Sequence, residues 1–272
     1  MRIRTVEDHL PFAHWLAPAE PRAGDAVPAP YVALARHGEV RSLLPAGDRR
    51  RLRRSLGRPN GPESRSRHGA RRLYALLAAS PLADVRHRLV QVDDSSLRAA
   101  LAPTVGRGPR DIALALHFGP PRANRKPVVQ VLDRDGTLLA VAKVATNPLT
   151  VRLVTQETSA LQQLARARPG PVLTVPRLLA ATSWEGAQLL VQSALVLPAR
   201  PRVPTAAVRR AAEQELVRST GGPSTGAAPW VRDLLAKLPP ESAGVPDPGA
   251  RWLDDVAVGA SHGDWSPQNL SV

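Results

Sequence analysis

The sequence predicts an α+β fold in two lobes, on three observations. Short alternating apolar runs between 111 and 194 ask for strands, and longer periodic runs after 198 ask for helices. Between them, 198–204 holds three prolines in seven residues, which places a hinge near 193–198. The resulting division is an N-terminal extension over 1–105 with no legible role, a strand-rich lobe over 106–197, and a helical lobe over 198–272. A chain of 272 residues has room for one large or two medium domains.

In the extension, 71–80 predicts a short helix with Leu73, Leu76 and Leu77 on one face, and 57–69 predicts a loop. From Asp111 the strands begin. Ile112, Leu114 and Leu116 alternate with alanines, as on a half-buried strand. A polar loop, 119–127, leads into an apolar run at 128–132. Asp133-Arg134-Asp135-Gly136 then makes a hairpin turn into a third strand over 137–145. A helix follows. Asn147 is its N-cap, Pro148 its first residue, and Leu149, Leu153, Ala160, Leu161 and Leu164 its apolar stripe up to Pro169-Gly170. Strands over 177–184 and 187–194 join at Glu185-Gly186. Helices are expected over 205–218 and 229–238, with loops at 219–229 and 239–249.

Composition excludes several classes. Without cysteine there is no disulfide scaffold, thiolate metal site or thiol catalysis. No apolar run approaches the roughly 18 residues of a membrane span, and a cytoplasmic location is expected. The net charge of +14 suggests nucleic acid, but only three of the 37 basic residues are lysines and aromatics make up 3%. Stacking surfaces are missing, so the charge describes an arginine-rich solvated surface and nucleic acid is not an expected partner.

Two charges stand where the patterns want apolar groups. By period-two counting, Lys143 shares a strand face with Leu139, Val141 and Ala145. Glu157 falls four residues after Leu153 and four before Leu161, inside the helical stripe. Either charge buried alone is costly, so the economical expectation is that they pair, strand to helix. Such a pair aims an ammonium at a neighbouring anion. The loop between the first two strands adds Arg122, Asn124, Arg125 and Lys126 as further anion contacts. Its spacing does not fit a Walker-type phosphate loop. At the end of the sequence, His262-Gly263-Asp264-Trp265-Ser266-Pro267-Gln268-Asn269 offers a carboxylate to orient or deprotonate an attacking hydroxyl. It also offers an amide oxygen suited to a hard cation, with His262 holding the loop by hydrogen bonding.

This segment resembles the His-Gly-Asp-x-x-x-x-Asn catalytic loop of the aminoglycoside phosphotransferase and choline kinase-like group within the protein-kinase-like fold. Lys143 in Ala140-Val141-Ala142-Lys143-Val144 is similar to that group's third-strand lysine, and Glu157 to its helix glutamate. The resemblance covers about 106–272. It implies a two-lobed ATP-binding fold, Mg2+ bound through Asn269, catalysis through Asp264, and phosphate transfer to a small-molecule hydroxyl. The nucleotide is expected to meet Lys143, Glu157, Arg122, Asn124, Arg125 and Lys126. The group's second metal-binding Asp follows this loop, whereas the sequence ends three residues past Asn269. A chain cut short with impaired turnover is therefore expected. The alternative is a pseudokinase-like scaffold whose basic extension docks a partner.

Overall fold

The computed structural model describes residues 29–36, 39–46, 88–118, 124–167, 170, 174–195 and 205–220. The described strands are β1 (Ala29–Arg36), β2 (Glu39–Pro45), β3 (Arg88–Val92), β4 (Ala113–His117), β5 (Val128–Leu132), β6 (Leu138–Ala145), β7 (Leu178–Trp184) and β8 (Ala187–Ser193). The described helices are α1 (Ser95–Leu101), α2 (Pro148–Ala167) and α3 (Ala206–Thr220), with a 3-10 turn at Ala102–Val105. The expected helices at 71–80 and 229–238 lie outside the described residues. The fold is α+β, with one antiparallel eight-stranded sheet in the order β3-β1-β2-β4-β5-β6-β8-β7.

By its internal packing the chain divides into two units. One is Met1–Leu161 with Pro176–Pro201, and the other is Gln162–Val175 with Arg202–Val272. The boundary expected at 105 divides no sheet: β1, β2 and β3 continue the strands that begin with β4. The short strands of 29–92 lack clean alternation because they are apolar on both faces. Val32 and Leu44 are buried on one side of the sheet, and Tyr31 and Leu43 on the other.

The main core lies on one sheet face and runs from Tyr31 and Leu43 through Leu114, Val129 and Ala142 to Leu189 and Val191. Leu97, Leu101 and Ala102 close it from α1 and the 3-10 turn. Although α1 follows β3 at one end of the strand order, its Ser96 hydroxyl receives the Trp184 indole N–H at 2.8 Å and donates to the Glu185 carboxylate. One helix thus bridges the two ends of the strand order, so the sheet is curled around its core. At the N-terminus of α1, the Tyr31 hydroxyl donates to buried Asp94, which also holds Arg98 at 2.6 Å. Desolvation raises the Asp94 carboxyl above its ordinary range.

Turn chemistry sets the hairpins. Between β5 and β6, Gly136 at φ 78° donates its N–H to the Asp133 carbonyl, and the Asp133 carboxylate accepts from Thr137 N–H at 2.7 Å. Between β7 and β8, Glu185 and Gly186 both take positive φ, 45° and 79°, the primed geometry that two-residue hairpins favour. A Cβ on Gly186 would meet nothing within 4 Å. Gly186→Ala therefore isolates backbone strain, and thermal denaturation should show a loss of about 1–2 kcal/mol.

At the start of α2 the Asn147 carboxamide accepts from Thr150 N–H at 2.9 Å, while Thr150 Oγ1 accepts from Asn147 N–H at 3.1 Å. Both orphan donors are satisfied reciprocally, with Pro148 at the first helical position. The buried stripe differs from the expected one. Thr150, Val154 and Leu161 are buried, Leu149, Leu153 and Leu164 are half-buried, and Ala160 is exposed. Spacings of four, three and four through 150, 154, 157 and 161 make the contact line, and Glu157 lies on it.

In the second unit, Glu215 on α3 is buried, and its Oε2 lies 3.0 Å from where a Cβ on Gly170 would stand. A side chain at 170 would make the Glu215 carboxylate shift by a few tenths of an ångström.

Candidate functional site

Register builds this site. Lys143 stands opposite Val128 on β5 and Leu190 on β8, on the sheet face turned away from the main core. On this face α2 packs through Val154 and Leu161 against Ala145 and Leu190. Glu157 falls between those two anchors, and its Oε1 takes the Lys143 ammonium in an ion pair. The sequence also expected Leu139 on the Lys143 face. Instead Leu139 packs with the opposite core, because a bulge between Val131 and Leu132 shifts the register there.

Lys126 joins from the β4–β5 connection, with Nζ 3.5 Å from the other carboxylate oxygen of Glu157. Only three of the 37 basic residues in the chain are lysines, and two of them converge on one glutamate. All three side chains stay about a quarter exposed, Lys143 at 24%, Lys126 at 23% and Glu157 at 26%. Ion pairs this open contribute about 1 kcal/mol or less. The cluster is thus a weak source of stability and an effective positioning device. Two ammoniums on one carboxylate leave a positive excess at a water-accessible spot.

The other loop candidates go elsewhere. Arg125 donates its Nε–H to the Phe118 carbonyl and lays its guanidinium 5.8 Å from the Phe118 ring centre, a cation–π contact that ties the loop's base to β4. Asn124 is exposed. Arg122 lies outside the described residues, as do His262, Asp264 and Asn269. Among the described residues no group of three or more His, Asp or Glu side chains could hold a metal ion. None of their helices is long and apolar enough to cross a membrane.

The Lys143 face also carries polar groups that sequence reasoning passed over. Ser42, His117 and Val128 lie in the same cross-strand row as Lys143, and Gln130, Val141 and Gln192 form the adjacent row. The signal was present in Val128-Val129-Gln130-Val131-Leu132, where one glutamine interrupts an otherwise apolar strand. His117 Nδ1 lies 3.0 Å from Ser42 Oγ. Burial pushes this imidazole below its ordinary value of 6.5, and neighbouring Gln130 partly opposes the shift.

The neutral ring is thus favoured in the folded chain, whereas the unfolded chain takes up a proton near 6.5. Stability should be full above that pH and fall as pH drops through and below it, by at most about 1.4 kcal/mol per pH unit. His117→Gln should flatten the slope in urea titrations compared between pH 7.5 and 5.5. An unchanged slope would assign it to other groups.

No family model, curated protein or solved structure matches the chain. The functional reading therefore stands on its residues and their geometry.

Proposed function

We propose that this chain is an ATP-dependent phosphotransferase of protein-kinase-like architecture that acts on a small-molecule hydroxyl. The observation that carries the reading is the strand-to-helix pair of Lys143 and Glu157, with Lys126 on the same carboxylate. Phosphoryl transfer is mostly positioning and charge stabilisation, and a strand lysine oriented by a helix glutamate is the recurrent device for it in kinases. The order of elements supports the reading too: strand, basic loop, strand, tight turn, lysine strand, glutamate helix, then a hairpin.

In this mechanism Glu157 holds the Lys143 ammonium toward the bound phosphates. Lys126, anchored to the same carboxylate, transfers to the phosphates when they arrive, because a polyphosphate competes for it with more charge than one carboxylate offers. Asp264 orients the acceptor hydroxyl and accepts its proton, and His262 stiffens the loop that presents Asp264. Asn269 contributes an amide oxygen to magnesium, which neutralises charge on the transferred group when bound. The described strands of 29–92 pair within the sheet. Calorimetric titration of ATP with magnesium onto the whole chain tests the reading. Micromolar binding that depends on Lys143 supports it, and absence of binding ends it.

A further inference from the structure

We propose that Gln130 and Gln192, backed by His117, form a hydrogen-bonding platform that selects the nucleoside half of the nucleotide through its N–H and O–H donors. The proposal rests on the nucleotide-binding reading above and deepens it. Gln130 and Gln192 flank Val141, one from each neighbouring strand, and Val141 lies two residues before Lys143 on the same face. Two residues of strand span about 6.6 Å and one strand spacing about 4.8 Å. The amides therefore stand within one nucleoside length of the ammonium that meets the phosphates.

Gln130 Oε1, Gln192 Oε1 and His117 Nε2 are shielded from water; Gln130 and His117 interact with one another, whereas Gln192 Oε1 has no hydrogen-bond partner among the described residues. Buried polar atoms without partners destabilise a fold. The opposite face of the same strands carries Val129, Ala142 and Val191, which need no partner. At position 192 folding alone would be better served by valine or leucine, so this amide points to a ligand. Each glutamine is only half-buried. The two carbonyl oxygens accept hydrogen bonds, which selects donors on the ligand: the exocyclic and ring N–H groups of a base and the ribose hydroxyls. Neutral His117, in contact with Ser42, adds a third polar group in the neighbouring row, which also holds Lys143.

The experiment compares ATP with inorganic tripolyphosphate, which has the phosphates and no nucleoside, on the whole chain. Gln130→Val and Gln192→Leu should each weaken ATP binding about tenfold, leave tripolyphosphate binding unchanged, and raise or preserve the melting temperature. Gln130→Asn keeps an amide but withdraws it. It should show the same split, which keeps the test decisive if the valine variant folds poorly. Lys143→Ala should weaken both ligands. If Gln130 and Gln192 variants bind ATP as the parent does while Lys143→Ala loses it, the platform is wrong and the phosphotransferase reading survives. Equal loss of ATP and tripolyphosphate in the glutamine variants also overturns the platform. A parent chain that binds neither ligand overturns both readings.

Discussion

Replacing Lys143 with alanine should raise the dissociation constant for ATP by about a hundredfold, because a charge-assisted contact to phosphate contributes roughly 1.5–3 kcal/mol. The fold should hardly respond. Lys143 is 24% exposed and its pair with Glu157 is open to water, so the unfolding free energy should move by about 1 kcal/mol or less. That separation of binding from stability is the signature of a functional lysine. Lys143→Arg sharpens it. The guanidinium keeps the charge but cannot place a compact point charge on the same line from β6, so ATP affinity should still fall about tenfold. Glu157→Gln should weaken ATP less than Lys143→Ala, since it disorients the ammonium without removing it. Calorimetry on each variant, paired with urea denaturation, checks the set. A Lys143→Ala chain that binds ATP normally would remove the central element of the proposed function.

The second large effect concerns the N-terminal strands. Tyr31→Ala should cost about 3–5 kcal/mol, the usual range for removing a buried aromatic side chain. Tyr31 is 1% exposed on β1, packs in the main core, and donates its hydroxyl to Asp94 at the head of α1. Removing it opens a cavity and leaves Asp94, already shifted upward by desolvation, without one of its donors. Because α1 continues to Trp184 and Glu185 at the far end of the strand order, the loss should be felt across the whole sheet. Tyr31→Phe separates the two contributions, keeping the ring and deleting only the hydrogen bond, at a cost of about 1–2 kcal/mol. Denaturation should remain a single transition in both variants. A 106–197 sheet that keeps its full stability in Tyr31→Ala would show that the first three strands are an appendage.

The elements from 111 to 194 were legible because each carries its own punctuation. Gly136 and Gly186 mark the turns, Asn147 and Pro148 mark the helix start, and the alternation of Ile112, Leu114 and Leu116 with alanines marks β4. That strand is buried on both faces and not half-buried as expected, because Ala113 and Ala115 pack in a second cluster. The Lys143 and Glu157 pairing was legible from cost: each charge sat on an apolar pattern, and partnership is the least costly resolution. The buried stripe of α2 was assigned one position off, because leucine content drew attention to 149 and 153 while the sheet touches 150 and 154. Leu139 was misassigned because a bulge reverses facing without any sequence mark. The strands of 29–92 escaped because residues buried on both faces show no period.

Local chemistry by itself therefore determined the turns, the caps, the α+β class and the two charges that needed each other. The tertiary structure alone decided which remote groups share a face. It carried Lys126 to Glu157 across 31 residues of chain, aligned Gln130 with Gln192, and joined β1 to α1 through Tyr31 and Asp94. Cross-strand register creates those neighbours, and register is set by pairing between segments far apart in the chain, which no local pattern records.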